Sequence, residues 1–499
     1  MKTFFKMNKI RQPSILPLSL PLSMSMFLFL ILLLSSSHVT GCSDFRGQQG
    51  NPGAQPEGVP DLELSDTIAD PQANPYKAPL YWSVYENHIL QPDDHLNYIT
   101  EKDWSDNIDW VEENLLPYGY DMVAIDGWGD TSQFNEYGYR TTHSRHWEHD
   151  YAWWAENLQG RGMNLGMYFN PLWVEMMAVD AGATIQGTGR PLSDIIDPDE
   201  DALAFKWVQV NNPGAEEYVK GYIQFYADMG IKYLRIDFLS WFEDGFDKGQ
   251  GRIGPERPAA DYETALRWMR EAADENGQFL SLVMPHLKNE AEMELRYGHM
   301  IRINEDVGTG EWERFNNYAR GVRRDWWSQW ANTFDGYTYW SHLSGRNRMI
   351  LDGDFIRINT MANDDEKRTV ISLHLIAGGP LSPADQHHTI GDDLWLYQNR
   401  EMLALNEDGF VGKPLTNDPA HEDSQIWTGQ MSNGDWIIGL FNREDDARTR
   451  TINFREHLNL DGKSAVRDLW EHKDLGEMET YSEEIPPHGV RVLRIASGN

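Results

Sequence analysis

From residue 78 onward, short apolar runs of β type alternate with longer amphipathic stretches of helical period, and this repetition limits the fold more than any other feature. Parallel strands need long crossovers, usually helices, so repeated βα units imply a parallel sheet covered by helices. The strand candidates are Leu80–Tyr85, Met122–Ile125, Leu165–Phe169, Tyr233–Ile236, Phe279–Met284 and Met300–Ile303, with less distinct ones at Arg348–Leu351 and Gly379–Leu381. Eight strands with helical connections over roughly 300 residues fit an α/β fold of the (β/α)8 barrel type with long loops. An open doubly wound sheet that binds nucleotides would want a Gly-rich phosphate loop after its first strand, and none stands there. The barrel is therefore expected over residues 78–398. Residues 399–499 change to short alternating segments divided by turns, as in QIWTGQMSNGDWIIGLFNRED and HGVRVLRI, the pattern of a C-terminal antiparallel β-sandwich.

Residues 1–42 read as an export signal. A basic start with Lys2, Lys6, Lys9 and Arg11 precedes the apolar run Met26 to Leu34, which is too short to span a bilayer as a helix. The segment ends in Val39-Thr40-Gly41-Cys42, which resembles a bacterial lipobox whose cysteine is acylated and becomes the mature N-terminus. Cys42 is the only cysteine, which excludes a disulfide framework and a thiolate zinc cluster. The residue after it is Ser43 and not an acidic one, so the expected location is the bacterial cell envelope, at the outer membrane. Residues 43–77, rich in Gly, Gln, Pro and Asp, read as a flexible tether.

A net charge of −35 argues against nucleic acid and against anionic lipid, leaving the lipid anchor as the only expected membrane contact. The 20 Trp, 21 Tyr and 19 Phe exceed what a core of this size needs, and flat aromatic faces against pyranose C–H groups make a glycan the expected partner.

Active sites of such barrels lie at the C-terminal ends of the strands. The polar residues that end the apolar runs are Tyr85-Glu86, Asp126, Asn170, Asp237, Glu305-Asp306, Asp352 with Asp354, and Asp385. An aspartate at such a place can also cap the following helix. Two carboxyl groups are what glycosidic hydrolysis needs. In YLRIDFLSW, Asp237 follows a buried strand beside Arg235, a neighbour expected to keep it ionised.

The ordered segments GYDMVAIDGW, LGMYF, YLRIDFL, RINEDVGTGEW, LDGDFI, GGPLSPAD, ALNEDGFVGKPL, WTGQMSNGDWIIGLFNRED, VRDLWEHKDLG and PHGVRVLRI together resemble the α-galactosidases of glycoside hydrolase family 27 and their melibiase relatives, over about residues 78–496. The resemblance implies a retaining exo-acting α-glycosidase, without metal or cofactor, with Asp237 as nucleophile and Asp306 as acid/base, their carboxyl groups about 5–5.5 Å apart. It further implies that Arg302 holds the 2-hydroxyl and that Asp354, Tyr168 and Tyr85 line the sugar pocket, Tyr85 replacing the family's tryptophan. Asp126, Trp128 and Arg235 complete the expected substrate contacts.

Three departures bear on the sugar. The family's paired strand 2 aspartates, which grip the galactose 4- and 6-hydroxyls, become Asp126-Gly127-Trp128, and its Lys-x-Asp becomes Arg235-Ile236-Asp237. The strand 5 Cys-Glu-Trp-Pro becomes Leu282-Val283-Met284-Pro285, followed by His286, Leu287 and Lys288. Catalysis is thus expected intact with recognition rewritten. The leading substrate is a terminal α-galactoside, with a β-L-arabinopyranoside or a substituted galactose next, and a non-catalytic glycan-binding lipoprotein as the rival class.

Other signals stay open at this point. His143, His146 and His149 read as a solvated helix start rather than a metal site, and His387 and His388 as loop or substrate contact, as do His286 and Lys288. Asp325-Trp326-Trp327-Ser328-Gln329-Trp330 either stacks on a sugar at an outer subsite or packs a helix.

Overall fold

A computed structural model describes residues 74–497 apart from 91–98, 127–128, 130–132, 201–203, 248–250, 253 and 308–309. Cys42 with the export signal, the tether up to residue 73, and Trp128 lie outside the described residues.

Seven strands pair in chain order, all parallel: β1 (Tyr81–Ser83), β2 (Met122–Ile125), β3 (Asn164–Phe169), β4 (Tyr233–Ile236), β5 (Phe279–Leu282), β6 (Met300–Arg302) and β7 (Ile350–Asp352). The eighth stave is reduced to a parallel bridge between Leu381 and Leu80. Tyr81 N–H donates to the Leu381 carbonyl at 3.2 Å, Leu381 N–H to that of Pro79 at 3.2 Å, and Ser83 N–H to that of Pro383 at 2.9 Å. Pro380 and Pro383 have no N–H to give to a ladder, which is why the expected strand Gly379–Leu381 shrinks to a bridge while still closing the ring. On the other side Ala384 N–H donates to Ile356 at 2.8 Å and joins the stave to the segment after β7. The result is the expected (β/α)8 barrel. Its fifth strand stops earlier than expected because Met284 turns to φ 54°, outside the extended region.

Alternation along the strands builds two layers of packing. Tyr81, Met122, Ala124, Tyr233, Phe279, Met300 and Ile350 fill the interior. Val123, Ile125, Leu165, Met167, Leu234, Ile236, Leu280 and Leu282 face the helical ring. Gly166 fits among large neighbours, since a Cβ there would stand 3.0 Å from both the Ala124 Cβ and the Tyr233 ring. In the ring, α1 (Glu101–Asn114) and α2 (Tyr151–Gly160) start on Thr100 and Asp150, whose side chains accept from the Asp103 and Trp153 amides. Helix α3 (Ala215–Asp228) buries Tyr218, Val219, Tyr222, Ile223 and Tyr226, one stripe of period 3.6, and α4 (Ala259–Glu275) packs beside it. Helices α5 (Lys288–Tyr297), α6 (Thr333–Trp340) and α7 (Asp364–Ile376) complete the ring.

The C-terminal strands are β8 (Lys413–Pro414), β9 (Ile426–Gln430), β10 (Trp436–Phe441), β11 (Arg448–Asn453), β12 (Ser464–Asp468), β13 (Lys473–Met478), β14 (Thr480–Ile485) and β15 (Val490–Ile495). An antiparallel sheet of order β8-β9-β10-β15-β12-β13 faces the pair β11-β14, and Ile438, Leu440, Ile452, Phe454, Val466, Ile485 and Leu493 fill the space between. Trp427, Ile437, Phe441, Val490 and Val492 belong instead to the barrel's apolar cluster, beside α7. Arg443, in the loop after β10, is fully buried and ion-paired to the equally buried Asp335 of α6 at 2.8 Å. Among the described residues no helix is long and apolar enough to cross a membrane.

Candidate active site

Five aspartates meet at the C-terminal mouth of the barrel: Asp126 after β2, Asp237 after β4, Asp306 after β6, Asp352 at the end of β7 and Asp354 beyond it. The Asp237 carboxylate accepts the Phe238 N–H on Oδ1 at 2.6 Å and the Tyr168 hydroxyl on Oδ2 at 3.0 Å. Asn170 donates to the Asp237 main-chain carbonyl at 2.6 Å, and its own side-chain oxygen is held by the Leu172 amide at 2.8 Å. Phe238 itself sits at φ 60°, in the left-handed region. Burial and the facing charge of Asp306 push the Asp237 carboxyl up to about 6, and Arg235, the Phe238 amide and Tyr168 restrain the rise. Asp306 accepts from Arg302 Nη2 at 2.8 Å, and 58% of its side chain remains open to solvent. One carboxylate is thus enclosed and fixed, and the other is reachable from the cleft.

Two buried arginines tie the remaining carboxylates together. Arg235 approaches Asp126 Oδ2 with Nε at 2.9 Å, Asp352 Oδ2 with Nη1 at 2.7 Å and Asp354 Oδ1 with Nη2 at 3.6 Å, and it stacks over Phe355 at 4.7 Å. Arg302 spans Asp306 and Asp354, reaching the latter at 2.6 Å. Arg235 was expected to keep Asp237 ionised. Its guanidinium is engaged by the other three carboxylates and acts on Asp237 only through its charge, which lowers the carboxyl by less than burial raises it. Burial would raise Asp352, but Arg235 and Arg302 outweigh it and hold that carboxyl below its ordinary value. In Asp126 burial wins over Arg235, and the charges of Asp237 and Asp354 add to it, so its carboxyl is pushed up to about 8. Asp354, at φ 83°, accepts the Val307 amide at 2.7 Å and rises to about 6, chiefly by burial.

Tyr85 stacks on Phe355 at 4.8 Å, and its hydroxyl is pushed well up by burial and then by the charges of Asp306, Asp354 and Asp126, which marks it as a wall of the same pocket. Phe238, Trp173 and Trp241 group beside the Asp237 strand, with ring separations of 5.5 Å and 4.4 Å from Phe238. Of the expected site, Tyr85, Asp126, Tyr168, Arg235, Asp237, Arg302, Asp306 and Asp354 are brought together, and Trp128 is outside the described residues. Asn170 and Asp352 join them. Both had a sequence signal, since each ends an apolar run.

Other strand-end acids serve the framework. Glu86, fully buried, accepts from Arg357 at 3.0 Å, Asn359 at 2.6 Å and the Gln386 amide at 3.0 Å. Asp385 accepts from Tyr397 at 2.6 Å and from the Asn359 amide at 2.8 Å. His286 is buried with both ring nitrogens engaged, Nε2 by Asp244 at 3.1 Å and Nδ1 by the Trp327 amide at 2.8 Å, while Lys288 pairs with Glu243 and Asp244. His387 and His388 are exposed, with His387 on Asn107. The run from His143 to His149 is a turn ahead of α2 and not a solvated helix start: His143 is buried against Trp147, and His149 pairs with Glu101. Among the described residues no three His, Cys, Asp or Glu side chains are arranged to hold a metal ion.

Residues 421–495 match the alpha galactosidase C-terminal beta sandwich domain. The isomalto-dextranase of Arthrobacter globiformis is 42% identical to this chain over 439 residues, which cover 84% of the chain and 67% of that protein. The chain belongs to glycoside hydrolase family 27. This family 27 enzyme is accordingly a glycoside hydrolase, and the facing pair Asp237 and Asp306 is what such chemistry requires. Among solved structures, that of the Arthrobacter globiformis T6 isomalto-dextranase complexed with panose superimposes with a TM-score of 0.81 at 40% identity, covering 86% of this chain and 74% of the other. A β-L-arabinopyranosidase of the family from Geobacillus stearothermophilus shares the fold at 18% identity, with a TM-score of 0.67 over 85% and 98% of the two chains.

Proposed function

We propose that this enzyme is a retaining α-glycosidase that cuts a dextran-type α-glucan from a chain end, and that a simple α-galactoside is not its preferred substrate. The observation that carries the reading is the 42% identity with an isomalto-dextranase over 84% of the chain. The mouth of the barrel supports it. The two aspartates that would grip galactose are reduced to Asp126, and that carboxyl is itself engaged by Arg235. A site without the partner for a hydroxyl gains nothing from a sugar that offers it.

In the proposed reaction the Asp237 carboxylate attacks the anomeric carbon while Asp306 gives its proton to the leaving glycosidic oxygen, so that a glycosyl ester forms as the C–O bond breaks. The Phe238 amide and the Tyr168 hydroxyl aim the attacking carboxylate, and Asn170 fixes its backbone. Asp306, now ionised, takes a proton from water, whose oxygen attacks the anomeric carbon from the face the leaving group vacated and breaks its bond to the Asp237 carboxylate. The product keeps its configuration and both aspartates return to their first state. The test is turnover of dextran, isomalto-oligosaccharides, melibiose and raffinose, with the product anomer followed by proton NMR. The expected outcome is α-product and a kcat/KM at least about 100-fold higher on the glucans. Preference for the galactosides, or a β-product, would overturn the reading.

We further propose that Cys42 is the lipidated N-terminus of the mature enzyme and places it at the outer membrane, a reading that rests on the lipobox-like Val39-Thr40-Gly41-Cys42. Cys42→Ala should leave the enzyme unprocessed or release it from the membrane fraction. An unlipidated mature N-terminus well downstream of Cys42 would refute this.

A further inference from the structure

The tryptophan cluster at 325–330 is an irregular loop rather than a helix, and its three indoles differ in exposure. Trp327 and Trp330 are buried at 7% and 4%, whereas Trp326 is 39% exposed. We propose that Trp326, with Phe246 at its edge, is the platform on which the sugar ring on the leaving-group side of the scissile bond stacks. The proposal rests on the reading of Asp306 as the acid that protonates that leaving group.

The loop adjoins the acid on two sides. Glu305, next to Asp306 in sequence, donates its amide to the Trp330 carbonyl at 2.9 Å and pairs through its side chain with Arg324 at 2.9 Å. The Trp327 ring lies 6.0 Å from the guanidinium carbon of Arg302, the arginine that holds Asp306. The loop is also fixed in shape. Arg324 N–H donates to the Gln329 carbonyl at 2.9 Å, Trp327 N–H to His286 Nδ1 at 2.8 Å, and the Gln329 side chain to the carbonyls of His286 and Leu287 at 2.7 and 3.1 Å. An exposed indole on so constrained a loop has already lost the freedom that stacking would otherwise cost. Phe246, half-buried, meets it at 6.5 Å between ring centroids and 70° between planes, so the two rings form a corner in which the Trp326 indole keeps 39% of its surface exposed. An indole face suits the axial C–H groups of a pyranose and carries no charge that would select one hydroxyl pattern.

The position decides which sugar it serves. Asp237 is enclosed by Tyr168, the Phe238 amide and the arginine network, whereas 58% of the Asp306 side chain is open to solvent and its neighbours Glu305 and Arg302 both touch this loop. The leaving unit departs on the open side, and the platform therefore contributes to cleaving oligosaccharides and nothing to a substrate whose leaving group has no ring.

The experiment compares wild type, Trp326→Ala and Trp326→Phe on isomaltotetraose and on the α-fluoride of whichever glycone, glucosyl or isomaltosyl, the wild type releases from it. The expected result is that Trp326→Ala loses about 5- to 10-fold in kcat/KM on isomaltotetraose and less than about 2-fold on the fluoride, with Trp326→Phe between. Equal losses on both substrates, or no loss on isomaltotetraose, would overturn the platform. If the wild type leaves isomaltotetraose intact, the glucan reading fails separately. Raffinose and α-galactosyl fluoride then form the pair, and the platform stands or falls on the same difference.

Discussion

The Nε of Arg235 lies 2.9 Å from Oδ2 of Asp126, which follows β2, and the same guanidinium reaches Asp352 at the end of β7 at 2.7 Å. A guanidinium can bridge two strands in this way because its nitrogens fan out in a plane, whereas an ammonium is a point charge. Arg235→Lys, which restores the residue type of the family's α-galactosidases, should reach one carboxylate and abandon the others. The expected result is a fall of about 10- to 100-fold in kcat/KM on isomalto-oligosaccharides with the fold retained. Steady-state kinetics and circular dichroism check it, and kinetics near those of the wild type would show that the bridge does not shape the pocket.

The same network gives stability a defined dependence on pH. Asp126 is pushed up to about 8 and Asp237 and Asp354 to about 6, chiefly by burial. In the unfolded chain these groups titrate near pH 3.9. Between that value and their folded values the native state holds protons that the unfolded state has released, so stability must decrease as pH rises through this window. Melting temperature should accordingly fall from pH 6 to pH 8, and Asp126→Asn should flatten the fall because an amide has no proton to lose. A wild-type melting curve that climbs across this range would contradict the assignment.

Catalysis should respond to pH in the opposite sense. The nucleophile works as a carboxylate, so kcat/KM should be lost as pH falls through about 6, where Asp237 takes up its proton. Asp237→Asn should abolish turnover on every substrate. Asp306→Asn should lose about 100-fold or more on isomaltotetraose, whose leaving oxygen needs a proton, and far less on a glycosyl fluoride, whose leaving group does not. Uniform loss on both substrates would remove Asp306 from the role of acid.

The parts of this molecule that were legible in the sequence are those set by local period and by position along a strand. Met122–Ile125 is legible to the residue because it is an apolar run between Asp121 and Asp126, and Tyr233–Ile236 because Tyr233, Leu234 and Ile236 stand between Lys232 and Asp237 with Arg235 the one charged member. Asp237 and Asp306 were legible because a barrel places the residue after each strand at its mouth. What the sequence hid depends on partners far away in the chain. Arg235 sits two residues before Asp237, yet its ion pairs are with residues 109 and 117 positions distant. The eighth stave escaped recognition as a bridge because the geometry of Pro380 and Pro383 matters only when Leu80 lies alongside. Likewise, nothing local distinguishes the exposed Trp326 from the buried Trp327 beside it.

The pair Arg443 and Asp335 joins the sandwich to the barrel under a further constraint. Both side chains are wholly buried at 2.8 Å, Arg443 also donates to the Asn316 carbonyl at 2.9 Å, and its guanidinium stacks on Phe334 at 4.2 Å. Burial drives the Arg443 group down to about 10 in spite of Asp335, a sign that desolvation outweighs the attraction there. Removing one partner then leaves an uncompensated buried charge, so Arg443→Met or Asp335→Leu alone should cost about 3–5 kcal/mol. The double variant should recover much of that loss, since two apolar groups of similar size leave no charge unpaired. Chemical denaturation of the three variants checks this, and additive losses in the double variant would mean that each residue contributes through separate contacts rather than through the pair.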